Sequence, residues 1–281
     1  MKLLKKISEI SKVMESYKEN GKTVGLVPTM GALHIGHLSL VEKAVKDCDV
    51  VVASVFVNPI QFNNPDDLKK YPRDLERDMK MLEEAGCDYV FSPEVKEMYP
   101  ETPDKIYEFH GIDKEMEGKF RPGHFNGVAT VVHRLFDIIG CDKAYFGEKD
   151  FQQLAIVNKM VQEEGLNVDV VSCSIIRESN GLAMSSRNER LNEKERKLAS
   201  AIYSCLLYTK EMALEISIDD IKKEVEKRIN AVDPLKLEYF EIVDDLSLEL
   251  ISKWGEKRNL VACIAVWCGE VRLIDNIRLF S

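Results

Sequence analysis

The stretch TVGLVPTMGALHIGHLSLVEKAVK (residues 23–46) carries the reading on which the rest turns. Its first part, TVGLVP (23–28), has the short apolar run of a buried strand. From about His37 to Lys46 the chain reads as a helix, and between the two lies a loop bearing Gly31 and Gly36. Working outward, DVVVASVFVN (49–58) is a strongly β-branched second strand. RDLERDMKMLEEAG (73–86) is a helix ending in glycine, and CDYVFSP (87–93) is a third strand. Helix 126–139, strand KAYFG (143–147), helix 150–164 and strand VDVVSCSI (168–175) continue the alternation. Upstream, Ile7, Ile10, Val13, Met14 and Tyr17 recur at helical spacing, and Gly21 stops that helix. Short strands alternating with helices predict an α/β fold, a doubly wound parallel sheet covered on both faces. Ligands of such sheets bind beyond the carboxyl ends of the strands.

After residue 176 the texture changes. Segments 192–216 and 218–232 read as helices, and 237–244 and 259–280 as strands, with a hairpin turn at Gly269-Glu270. The expected organisation is therefore a Rossmann-like domain over 1–176 and a smaller α+β domain over 177–281.

Composition narrows the function. The 281 residues are 45% hydrophobic and 31% charged, ordinary for a globular chain, and the formal net charge is −9. That balance argues against a broad nucleic-acid-binding face, whose affinity comes from neutralising phosphates. Charges interrupt every apolar run, so no membrane span is expected, and the start MKLLKKISEISKVMESYKEN reads as an ordinary first helix rather than a signal peptide. The seven cysteines include no C-x-x-C pair and read as reduced structural thiols of a cytoplasmic protein.

The loop after the first strand is the chemical centre of this reading. Glycines let backbone approach a phosphate, and a helix N-terminus presents N–H groups with partial positive charge. Gly31 and Gly36 match the first half of a P-loop, but His37 and Leu38 stand where it needs lysine and a hydroxyl. There is no G-x-G-x-x-G either. What remains is H-x-G-H, His34 and His37 around Gly36. Imidazoles can hydrogen-bond phosphate oxygens and stabilise charge as pyrophosphate departs. An ordinary polar loop and a metal site are the competing readings, the latter without H-E-x-x-H or a nearby carboxylate at ligand spacing.

H-x-G-H in this position resembles the signature of the nucleotidylyltransferase superfamily. The longer string PTMGALHIGH (28–37), followed in order by FVNPIQF (56–62), YPRDLERD (71–78), RPGHF (121–125), FGEKDFQQ (146–153) and MSSRN (184–188), resembles the pantothenate synthetase family over nearly the whole chain. The resemblance implies ATP-dependent condensation of pantoate with β-alanine through a pantoyl adenylate, releasing AMP and pyrophosphate. It implies an ATP site built from Met30, Gly31, Ala32, Leu33, His34, Ile35, Gly36 and His37, from Gly147, Glu148, Lys149 and Asp150, from Ile176, and from Met184, Ser185, Ser186 and Arg187. Gln61 and Gln153 are implied to bind the substrates pantoate and β-alanine. His34, His37, Lys149 and Arg187 are expected around the phosphates, with His37 as proton donor. Magnesium is expected to arrive with ATP, held by the triphosphate rather than by a dedicated protein cage. The resemblance also suggests a homodimer; no nucleic-acid or membrane partner is expected.

The remaining features read as structure. Arg73, Asp74 and Asp78 form the charged face of a helix, KKEVEKR (222–228) is a solvated face, and His110 and His133 have no partner motif. Arg121 and His124 follow a polar loop that can close over the site, and Asn126 carries no argument. Two competing functions stay open at this point. One is a nucleotidylyltransferase that leaves its nucleotide on the product; the other is a regulatory nucleotide-binding module that performs no chemistry, which leaves Gln61 and Gln153 without a reason. A tRNA synthetase lacks support in the acidic balance and has no evident anticodon-binding extension.

Overall fold

In the computed structural model, which describes residues 1–255 and 259–280, six parallel strands form one sheet in the order β1-β4-β3-β2-β5-β6. They are β1 (Lys2–Leu4), β2 (Val24–Thr29), β3 (Val50–Val55), β4 (Tyr89–Phe91), β5 (Lys143–Gly147) and β6 (Asp169–Cys173). Both faces are apolar because successive side chains alternate between them. Val24, Leu26, Val50, Val52, Phe91, Ala144 and Phe146 point to one side, against helices Ile7–Glu19, His124–Ile139 and Phe151–Glu163. Val27, Val51, Ala53, Val90 and Tyr145 point to the other, against Leu40, Val41 and Ala44 of helix Ile35–Asp47 and Leu82 of helix Leu75–Glu84.

The expected parallel sheet is present, with one strand more than the sequence suggests. Lys2–Leu4, expected within a first helix, pairs in parallel with β4 through Lys2↔Tyr89, Leu3↔Val90 and Leu4↔Phe91. Three residues at a sheet edge are too short for any period to announce them. The order of strands reverses between β2 and β5, which are neighbours through Gly25↔Lys143 and Leu26↔Ala144. The carboxyl ends of both leave the same sheet edge there, at the topological switch point where α/β sheets bind ligands.

The chain divides into two compact units, one of Met1–Glu148 with Gln153–Ser174, the other of Lys149–Gln152 with Ile175–Ser281. The second is built on an antiparallel sheet, β7 (Leu235–Asp244), β8 (Leu260–Cys268) and β9 (Val271–Arg278), with the turn at Gly269-Glu270. Helices Ala201–Met212 and Ile218–Asn230 bury Ile202, Leu206, Ile221, Val225 and Ile229 with Leu260, Ala262, Ile264 and Val266. The helix expected over 192–216 is interrupted at Ala199 and Ser200, where the Ser200 hydroxyl donates to the Lys197 carbonyl. The span expected for the smaller domain also contains residues 256–258 and 281, which lie outside the described residues.

One contact in the first unit fixes how closely helix His124–Ile139 approaches the 3-10 turn Pro59–Gln61. A methyl at Gly127 would lie 2.5 Å from the Ile60 carbonyl oxygen and 2.7 Å from Gln61 Cα. Glycine-to-alanine inside a helix ordinarily gains up to about 1 kcal/mol. Overpacking against backbone costs about 1–3 kcal/mol, so the clash decides the sign. Gly127→Ala is expected to lower the urea midpoint; a variant as stable as the parent or more so would contradict this packing.

Candidate active site

The turn from β2 into helix Ile35–Asp47 is held by partners within the chain. Thr29 Oγ1 donates to the Ser54 carbonyl at 2.6 Å and accepts from the Gly31 N–H at 3.1 Å. Gly31 and Ala32 both have positive φ, +79° and +50°. Their conformation aims the Ala32 and Leu33 N–H groups at Asp78, whose Oδ2 and Oδ1 accept at 2.9 and 2.8 Å. Glycine is required at 31 for space as well as for φ, since a Cβ there would lie 2.8 Å from Asp78 Oδ2 and 3.1 Å from Val55 Cγ1. Asp78 is 1% exposed, so it is no part of a solvated helix face. Burial pushes its carboxyl above the usual range, while the two backbone N–H bonds pull it back.

The histidines complete this arrangement. His34 is the N-cap of helix Ile35–Asp47, its Nδ1 accepting from the Gly36 N–H at 3.1 Å. His37 Nδ1 lies 3.4 Å from the His34 N–H in a reciprocal capping box, and the rings tilt against each other with centroids 4.1 Å apart. A ring nitrogen that accepts a hydrogen bond carries no proton, so each neutral imidazole bears its N–H at Nε2. The pair is therefore set as two Nε2–H donors. The amides of this loop have partners of their own. The N–H groups of Gly31, Ala32, Leu33, His34, Gly36 and His37 all bond within the chain, the last to the His34 carbonyl at 2.8 Å.

Gln61 is buried beside this loop in a polar network. Its Nε2 lies 3.2 Å from the Met30 sulfur, and its Oε1 accepts from Asn58 Nδ2 at 3.1 Å. Asn58, fully buried, also donates to the Gly127 carbonyl at 3.0 Å and accepts from the Tyr99 hydroxyl at 3.0 Å. His124 Nδ1 sits 2.8 Å from the Gln61 carbonyl, which can only accept, so His124 carries its proton on Nδ1. Asn58 escaped the sequence reading although it lies in FVNPIQF; an asparagine in a loop gives no hint of burial. Gln153 lies at the third position of helix Phe151–Glu163 and is half-buried. Arg121 pairs with Glu117 at 3.5 Å, His133 Nδ1 lies 2.9 Å from the Tyr107 hydroxyl, and His110 lies 3.5 Å from Glu163.

Gly147 ends β5, and Glu148 opens the 3-10 turn Glu148–Asp150. In the second unit Lys149 lies 3.4 Å from Asp150, and its carbonyl accepts from Asn276 Nδ2 at 3.0 Å. Neighbouring Asp275 is buried and takes Arg177 in two bonds of 2.6 and 3.0 Å. Burial pushes the Asp275 carboxyl upward, against the pull of that guanidinium. The Arg177 plane stacks 3.8 Å over the Tyr203 ring. The segment from Ile176 to Met184 closes on itself, with the Met184 N–H bonding the Ile176 carbonyl at 2.9 Å. MSSRN then follows: Ser185 caps the 3-10 turn Ser186–Arg190 by accepting from the Arg187 N–H at 3.2 Å, and Ser186 is buried. Asn188 bonds Glu178 at 2.8 Å and the Ala183 carbonyl at 3.0 Å, so this is a built turn and not a loose linker.

A family model described as pantoate-beta-alanine ligase matches residues 2–278. The chain belongs to the pantoate–β-alanine ligase family. It is 50% identical over 279 residues to the pantothenate synthetase of Phocaeicola vulgatus, covering 99% of each chain, and 49% identical over 278 residues to that of Bacteroides fragilis, again with 99% of each chain covered. Among solved structures it resembles pantothenate synthetase from Thermus thermophilus, with a TM-score of 0.92 and 42% identity over all of both chains. It also resembles the pantoate-beta-alanine ligase of Francisella tularensis complexed with β-γ ATP and β-alanine, with a TM-score of 0.83 and 33% identity over 99% and 98% of the chains.

Three further observations concern the chain as a whole. Among the described residues, no group of three or more His, Cys, Asp or Glu side chains gathers at metal-binding distance. All seven cysteines are free and six are buried; burial pushes the thiols of Cys87 and Cys173 up to about 11 and that of Cys141 to about 12, away from nucleophilic use. No helix among the described residues is long and apolar enough to cross a membrane.

The Gln61 network makes its own prediction. Asn58→Ala strips partners from the Gln61 amide, the Gly127 carbonyl and the Tyr99 hydroxyl. Each buried group left unmatched costs about 1–3 kcal/mol. Denaturant unfolding should therefore show a loss of about 2 kcal/mol or more; a change within about 0.5 kcal/mol, typical of surface sites, would contradict the network.

Proposed function

We propose that the chain joins pantoate to β-alanine at the expense of ATP. The carrying observation is the family match over residues 2–278, which takes in every motif block. A carboxylate resists attack by an amine because its leaving group would be oxide. In the first step a pantoate carboxylate oxygen attacks the α-phosphorus of MgATP, the bond from that phosphorus to the bridging oxygen breaks, and pyrophosphate leaves. In the second, the neutral β-alanine nitrogen attacks the acyl carbon, the bond to the phosphate oxygen breaks, and AMP departs as the nitrogen loses a proton. Neither step requires a protein nucleophile, and the perturbed thiols offer none.

Positioning and charge stabilisation carry such chemistry. The Nε2–H groups of His34 and His37 are assigned to the triphosphate oxygens as hydrogen-bond donors; a neutral imidazole whose Nδ1 accepts supplies a hydrogen bond rather than a proton, so His37 is assigned charge stabilisation in place of proton donation. Lys149 and Arg187 add positive charge toward the phosphates, with Ser185, Ser186 and the segments 30–37, 147–150, Ile176 and Met184 completing the nucleotide contacts. Gln61 has a second amide N–H and a second lone pair beyond the bonds described above, suited to a hydroxy acid; Gln153 is assigned the same substrate. Magnesium enters as part of the substrate, held by phosphate oxygens. The same family resemblance supports a homodimer in the cytoplasm, acting on small molecules.

Pyrophosphate release from MgATP and pantoate, measured with and without β-alanine, tests the reading. A limited release without amine and sustained turnover to pantothenate and AMP with it are expected. Release that ignores pantoate, or a product that keeps the nucleotide, would overturn it. His37→Ala should cut turnover by about 10²–10³-fold, the usual cost of a lost transition-state donor, with the far-UV spectrum unchanged; near-normal turnover would remove His37 from the role.

A further inference from the structure

Successive backbone N–H groups in a turn can form a concave nest whose usual occupant is an anion. At Gly31 and Ala32 the chain fills such a nest with its own buried carboxylate, Asp78, through the Ala32 and Leu33 N–H groups at 2.9 and 2.8 Å. The dependence runs both ways. An ionised carboxylate is costly to bury without donors, and an alanine resists positive φ unless something holds it there. Leu33 is followed directly by His34, whose ring caps the helix and whose own N–H reaches His37. The register of the loop and the orientation of both imidazoles are thus one construction, with Asp78 at its base.

We infer that Asp78 is a positioning residue for the His34–His37 pair, holding the loop in the one register that turns both Nδ1 atoms toward backbone N–H groups and leaves Nε2 as the donor. The inference rests on the role proposed above for these histidines. Asparagine is nearly the same shape but offers one acceptor and two donors, so one of the two loop N–H groups would face another N–H. Misplacement of a reacting group by about 1 Å can cost about 10²-fold in rate.

The test uses Asp78→Asn in the full chain, with two readouts that a merely structural role would not move. In nitrogen-15 spectra of the imidazoles, the parent should show His34 and His37 with protons on Nε2, and Asp78→Asn should lose that single tautomer while the far-UV spectrum persists. Pyrophosphate release per folded molecule should fall about 10²-fold in Asp78→Asn alone. In a background lacking both imidazoles, His34→Ala with His37→Ala, the same change should cost less than about 3-fold, because groups that act through one another are not additive. Unchanged tautomers, or losses that multiply, would overturn the inference. If Asp78→Asn does not fold, Gly31→Ala presses on the same contact from the loop while keeping the charge, since its Cβ would lie 2.8 Å from Asp78 Oδ2; the same two readouts decide. The imidazole spectra need no substrate. Shifted tautomers in a chain whose parent releases no pyrophosphate would therefore support the positioning role and overturn the ligase reading.

Discussion

The turn between β2 and helix Ile35–Asp47 must satisfy a run of backbone N–H groups, of which those at Gly31, Ala32 and Leu33 are buried, and much else follows from how it does so. Thr29 takes one, Asp78 takes two, and the imidazoles of His34 and His37 take two more. A buried donor left unmatched costs about as much as a hydrogen bond is worth or more. Satisfying these groups internally fixes the φ of Gly31 and Ala32, the presence of glycine at 31, the burial of Asp78 and the tautomers of both histidines. In a P-loop the same position uses its amides on the ligand; here the amides bond within the chain. Because this turn leaves the sheet at the reversal of strand order, it stands where doubly wound sheets receive ligands.

The two units carry chemically different groups. The first holds neutral donors and acceptors in fixed orientations, the histidine pair and the Asn58–Gln61 network, suited to reading hydroxyl and carboxylate geometry. The second holds cations, with Lys149 tied through its carbonyl to Asn276, and Arg187 at the start of a capped 3-10 turn. Arg177 and Asp275 form a buried bidentate pair beneath these elements. A pair so buried adds little net stability but fixes the geometry around it, since either partner alone would be an uncompensated charge. On this account Arg177 serves the architecture of the second unit, while Lys149 and Arg187 are the cations proposed to meet phosphate.

The fold was legible because both faces of the sheet are buried, so strands such as VVVASV announce themselves as apolar runs and the intervening helices by their period. The edge strand Lys2–Leu4 was not, being only three residues long. The histidine pair was legible as a motif, but its tautomers were not, because they depend on which backbone groups the rings cap. Asp78 was read with Arg73 and Asp74 as the charged face of a helix, and its burial escaped that reading for a physical reason: its partners, Ala32 and Leu33, are 46 and 45 positions away in sequence. Asn58 was missed for the same reason, since Gly127 and Tyr99 reach it from other elements. Local pattern reports which face a residue occupies on its own helix, not what another segment brings to that face.

The central claim is that the pantoate carboxylate is activated by adenylation. Pantoate labelled with oxygen-18 in both carboxylate positions decides it most directly, by mass spectrometry of the nucleotide formed with β-alanine present. Attack of the labelled oxygen on the α-phosphorus followed by cleavage of the acyl–oxygen bond predicts AMP carrying one labelled oxygen, one label remaining in the amide. Unlabelled AMP, or label appearing in inorganic phosphate alongside ADP, would contradict the account.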